Sequence, residues 1–154
     1  GDLDGYLREA RAAAAAAPGE ASSAIDLAMA LIRCGDATGA EGALAGVDRA
    51  LLPPNAAAFV VWTRGLIERS KRDPQALQSL TQAVHAFLGM SAQPATWSAL
   101  ALCACDRAIV LADAGHIDEA RQQIERVWPV LKSHAPPPLM TTLEIAQLAP
   151  KPSA

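Results

Sequence analysis

Along this chain the apolar positions recur three and four residues apart, the spacing of one face of an α-helix. Ala24, Leu27, Ala28 and Leu31 mark one such face, and Ala40, Ala43, Leu44 and Val47 mark a second. Gly35-Asp36 separates the two and Pro53-Pro54 follows the second. The pattern predicts helix, tight turn, helix, breaker, with the proline pair ending the second helix. So short a turn sends the second helix back along the first, which makes the pair antiparallel. No stretch combines apolar–polar alternation with β-branched residues and hairpin turns, so strands are not expected.

The unit recurs. Relative to Gly35, a leucine stands four residues before (Leu31) and a small residue seven before (Ala28), with Ala40, Leu44 and Val47 at five, nine and twelve after. Gly115 repeats this with Leu111, Ala108, Ala120, Ile124 and Val127. Gly1 repeats the trailing half with Ala10 and Ala13, although Tyr6 takes the alanine's place. Lys71 repeats it with Ile67, Ala76, Leu80 and Ala83, but Arg64 stands where the small residue belongs. On these positions the chain resembles the tetratricopeptide repeat family, whose helix–turn–helix units carry small residues where paired helices touch. The segment from Ala21 to Pro54 matches best, the segment from Ala101 to Leu131, with its "LADAGHIDEARQQIERV", nearly as well, and the likeness covers about residues 1–132. Tyr6, Arg64 and Arg107 depart from the pattern, and the large aromatic residues usual in the family's first helix are mostly missing.

The resemblance implies an all-α fold, a right-handed superhelix of stacked antiparallel hairpins forming a single domain over residues 1–148. Its helix pairs would fall at about 1–54, 55–90 and 94–132, with a capping helix at 139–148 and a frayed tail at 149–154. One hairpin cannot bury its apolar stripe alone, so neighbours must stack to close a shared core. Between Lys71 and Gly115 the spacing is longer, and the excess lies around Gly89–Pro94. A helix is therefore expected to end near Leu88 and a longer one to run from about Ala95 to Ala114, carrying Trp97, which either covers the preceding hairpin or meets a partner. Ser133–Pro138 breaks the chain before the capping helix. Gly1 falls inside a repeat, which fits either an amino end that starts there or a piece of a longer protein.

Composition narrows the role. Of 154 residues 51% are apolar and 4% aromatic, so a core is affordable and much of it is alanine. A net charge of −3 supplies no basic footprint for nucleic acid or an anionic membrane. The longest apolar run, Ala56 to Trp62, is far short of the ~18 residues of a spanning helix, and no signal peptide is visible. Cys34, Cys103 and Cys105 form no C-x-x-C pair and read as buried, inert thiols, which with the lack of a visible signal peptide makes the cytoplasm the expected location.

Catalytic patterns are missing. The sequence has no G-x-S-x-G, H-E-x-x-H, phosphate-cradling or dinucleotide-binding motif. His85, His116 and His134 lie in separate segments, suited to solvated or capping roles, so no metal, cofactor or enzymatic activity is expected. What remains is surface. In stacked hairpins the first helices would line a groove, here Ile25, Met29, Ile32, Arg33, Val61, Trp62, Arg69 and Ile109, with Met29 and Trp62 as adaptable anchors for an apolar helix or extended peptide. The other reading makes Ile25, Met29 and Val61 core residues of a tightly wound superhelix. The expected function is protein–protein interaction with a peptide or helix of a partner, within a larger bacterial regulatory, assembly or secretion protein. The alternatives are a free-standing secretion chaperone and a sensor domain for a small molecule or signalling peptide.

Overall fold

The structure, a computed structural model, describes residues 3–133, with the backbone alone for residue 95 and residues 131–133. The Gly1 marker, the capping helix at 139–148, the frayed tail and His134 lie outside the described residues. Among the described residues seven α-helices follow one another: α1 (Leu3–Ala16), α2 (Ala21–Arg33), α3 (Ala37–Leu44), α4 (Pro54–Ser70), α5 (Ala76–Gly89), α6 (Trp97–Asp113) and α7 (Ile117–Ser133). The described residues contain no strand. Helices α2 and α3, α4 and α5, and α6 and α7 pack as pairs, and α2, α4 and α6 touch in that order from one pair to the next.

The first turn shows how sequence makes a hairpin. At the end of α2, Gly35 takes φ +85°, a conformation that costs a side-chain-bearing residue dearly. The chain then folds back so that Gly35 N–H donates to Ile32 O at 3.0 Å and Asp36 N–H to Leu31 O at 2.9 Å, satisfying carbonyls the helix leaves open. Asp36 next caps α3, its carboxylate accepting from Gly39 N–H at 2.8 Å. Ala28 and Ala40, on either side of this turn, are both fully buried. Gly115 repeats the arrangement at φ +92°, with His116 N–H donating to Leu111 O at 2.9 Å.

The middle turn corrects the sequence register by one residue. There Arg72, at φ +58°, takes the glycine's place, and Asp73 N–H donates to Glu68 O at 2.9 Å. Arg72 and not Lys71 is thus the counterpart of Gly35 and Gly115. Seven residues before it stands Gly65, which is buried, whereas Arg64 is exposed. The small residue of the pattern is present after all, at Ala28, Gly65 and Ala108 in the three pairs. A Cβ on Gly65 would come within 2.6 Å of Leu80 Cδ2, so α4 and α5 touch there backbone to side chain. The register of α5 is as expected, with Ala76, Leu80 and Ala83 all buried. The slip arises because the turn between α4 and α5 differs in length from the glycine turns.

The prolines also act differently from the expectation. Helix α3 stops at Leu44, a short 3-10 turn spans Arg49–Leu51, and Pro54 opens α4 rather than closing the helix before it. Gly39, Gly42 and Gly46 weaken the helical preference of this stretch, and Asp48 accepts from Ala50 N–H at 3.0 Å to hold the 3-10 turn. Pro54 suits the first helical position, where no backbone donor is required. In the longer insertion, Pro94 opens a 3-10 turn at Pro94–Thr96 and α6 begins at Trp97. Trp97 is 43% exposed, and its indole N–H donates to Ser91 O at 2.8 Å, pinning the loop before α6.

A shared core runs through the described pairs. Leu80, Phe87, Ile124, Val60 and Thr63 are among its largest fully buried side chains. Phe59, Trp62 and Phe87 pack ring on ring at centroid distances of 5.3, 5.4 and 5.9 Å, with Phe87 edge-on to both partners.

Candidate docking cleft

The carboxyl ends of α2, α4 and α6 come together beside the hairpin turns, because each first helix ends two residues before its left-handed turn residue. Between them opens a cleft of about 890 Å3. Ile32, Leu66, Leu77 and Val110 give it apolar walls, and Arg69, Arg72, Asp73 and Asp113 give it charged ones. Arg69 Nε donates to Asp113 Oδ2 at 3.0 Å, tying the end of α4 to the end of α6. Asp73 Oδ1 accepts from Gln75 N–H at 2.9 Å and starts the turn into α5.

At one side of the cleft lies a buried polar cluster. Arg33, the last residue of α2, donates from Nη1 to Asp106 Oδ1 at 2.9 Å and from Nη2 to Asp106 Oδ2 at 2.6 Å. Trp62 Nε1 donates to the same Oδ2 at 2.7 Å, and the guanidinium carbon of Arg33 sits 5.8 Å from the Trp62 ring centre. One carboxylate on α6 thereby collects a donor from α2 and another from α4. The Arg33 and Asp106 side chains are only 9% and 6% exposed. Two thiols share this setting: burial, followed by the nearby Asp106 charge, pushes Cys105 up to about 12 and raises Cys103 still further. Both remain protonated, unreactive thiols at neutral pH. Cys34, expected to be buried like them, is exposed at the end of α2.

The expected groove residues divide. Ile32, Arg33 and Arg69 line the cleft. Ile25, Met29, Trp62 and Ile109 are 2–4% exposed and belong to the core, so neither Met29 nor Trp62 presents an anchor at the surface. Val61 is partly buried against the core. Met29, Trp62 and Ile109 fall within the one core that the packed helices share. Sequence reasoning passed over Asp106, Arg72, Leu66 and Val110. Asp106 left a trace as a lone acidic residue ending the apolar run Ala99–Cys105. Arg72 left another, standing where both matching units carry glycine, but only the corrected register makes that visible.

Among the described residues no group of three or more His, Cys, Asp and Glu side chains is placed to hold a metal ion, and no helix is long and apolar enough to cross a membrane. His85 and His116 are both exposed. No family model, no curated protein and no solved structure matches the chain.

Proposed function

We propose that this chain is a protein–protein interaction module, built as a right-handed stack of tetratricopeptide-like hairpins, which holds a linear segment of a partner protein in the cleft beside its turns. Two features support the stacking: Gly35, Arg72 and Gly115 occupy equivalent turn positions, and Ala28, Gly65 and Ala108 recur seven residues before them. The observation that carries the functional reading is the cleft itself, about 890 Å3 with apolar walls and a charged rim. Protein interfaces place an apolar patch inside a polar border in this way. Among the described residues the cleft is not enclosed, which suits a chain passing through it better than a small molecule sealed within, and we assign the module no chemistry of its own.

Selection of random displayed peptides on the purified chain tests this. Bound peptides are expected to be lost from Leu77→Arg, which plants a charge on the apolar wall, and kept by Leu51→Arg, at a site already 81% exposed and outside the cleft. Peptides indifferent to Leu77→Arg would overturn the assignment of the cleft.

A further inference from the structure

We infer that the partner segment carries an acidic side chain next to an aliphatic one, with the carboxylate received by Arg72. The inference rests on the docking reading above and adds the chemistry of the occupant. Three arginines and two aspartates line the cleft. Arg33 is held by Asp106 from α6, and Arg69 by Asp113. Asp73 is engaged with the backbone of its own turn. Arg72 is different: it is exposed, and among the described residues its guanidinium meets no carboxylate and no hydrogen-bond acceptor. Asp73 keeps its charge while one of its oxygens serves the turn, so the group of the cleft with donors to spare is the Arg72 guanidinium beside apolar walls, and its complement is a carboxylate beside an apolar group. An arginine receives a carboxylate through two parallel N–H donors, which also fixes the direction of the bound chain.

The backbone supplies a second, independent observation. Arg72 is the one non-glycine residue at positive φ among the described residues, while the equivalent turns use Gly35 and Gly115. A glycine would serve the turn with less strain, as it does in the neighbouring pairs. Among the described residues no hydrogen bond or ion pair uses the side chain that replaces it, and that side chain borders the cleft. Strain retained at such a point is accounted for when the side chain has a ligand to hold.

Stability and binding should consequently respond to Arg72→Gly in opposite directions. Random peptides displayed on phage are selected on the wild-type chain, and the recovered sequences are resynthesised with their acidic residue intact or changed to Gln or Asn. The expected consensus places Asp or Glu beside Leu, Ile or Val. Arg72→Gly should weaken such peptides about tenfold or more while raising the melting temperature, and Arg72→Lys, which keeps the charge but loses the paired donors, should bind between the two. The amide peptides should bind the wild type as weakly as the acidic ones bind Arg72→Gly, and lose nothing further on that variant. Peptides that are lost from Leu77→Arg yet ignore Arg72→Gly overturn the acidic partner and leave the docking cleft standing. A consensus without acidic residues does the same. Peptides indifferent to both variants, or no enrichment at all, overturn both.

Discussion

Arg33 and Asp106 lie 73 residues apart in sequence and meet through two hydrogen bonds of 2.9 and 2.6 Å in the interior. The contact joins the first helix of one pair to the first helix of a pair two places further on, bypassing the pair between them. Trp62, from that intervening pair, completes the set by donating to the same carboxylate. Three successive first helices are thus held in one relative arrangement by a single acidic residue, at the side of the cleft they form.

Asp106→Ala should cost about 3–5 kcal/mol, because it leaves the Arg33 guanidinium buried without its counter-charge and the Trp62 indole without an acceptor. Among the described residues the Arg33 Nε is buried with no acceptor, so without Asp106 the whole guanidinium would lack one there. The double variant Arg33→Met/Asp106→Leu should lose clearly less than the single variants Arg33→Met and Asp106→Leu added together, having no stranded charge. Urea unfolding of the four proteins measures the coupling.

Gly65→Ala and Gly42→Ala should change stability with opposite signs. At Gly65 the new Cβ would meet Leu80 Cδ2 at 2.6 Å and Leu80 N at 3.3 Å, and Leu80 is fully buried with nowhere to move. A loss of roughly 1–3 kcal/mol is expected from overpacking. At Gly42, in mid-α3, nothing lies within 4 Å, and the better helix former should add about 0.5–1 kcal/mol. Equal effects of the two in thermal melts would remove Gly65 from the list of close contacts.

Arg72→Gly should stabilise the free protein by about 1 kcal/mol, the cost of a left-handed residue less the extra chain entropy a glycine loses. The same change at Lys71, which has ordinary backbone angles, should destabilise slightly. Comparing the two melting curves checks the corrected register without reference to any ligand.

The buried thiols contribute to the loss of stability at alkaline pH. Cys105 is raised from an ordinary 9.0 to about 12 and Cys103 is raised further, in each case chiefly by burial. Between those values the unfolded chain gives up thiol protons that the folded chain keeps. Stability is therefore full below about pH 9 and declines above it, by up to about 1.4 kcal/mol per pH unit for each thiol. Cys103→Ala/Cys105→Ala should show a shallower decline in melting temperature between pH 9 and pH 11. A thiol reagent should label only Cys34 in the native protein, and the other two after unfolding.

The helical character was written into the chain at short range. Periodicity located the faces carrying Ala28 and Ala40, and Gly35 and Gly115 announced their turns, because a left-handed turn residue with helices on either side leaves a signature a few residues long. The middle turn is placed one residue early for the complementary reason. Arg72 adopts the same conformation without the residue type that advertises it, so the pattern was read from Lys71 and the small residue at Gly65 was missed by one position.

What periodicity could not supply is which apolar face ends up covered and which left open. Met29 and Trp62 carry the same local signal whether they line a groove or a core, and the answer depends on how closely α2, α4 and α6 approach one another. That approach is governed by contacts between residues far apart in sequence, Arg33 with Asp106 and Trp62 with Asp106, for which no spacing rule exists. Local sequence therefore determined the helices and two of their turns. The buried ion pair and the cleft came into being only when the pairs stacked, since each is made of groups from more than one helix.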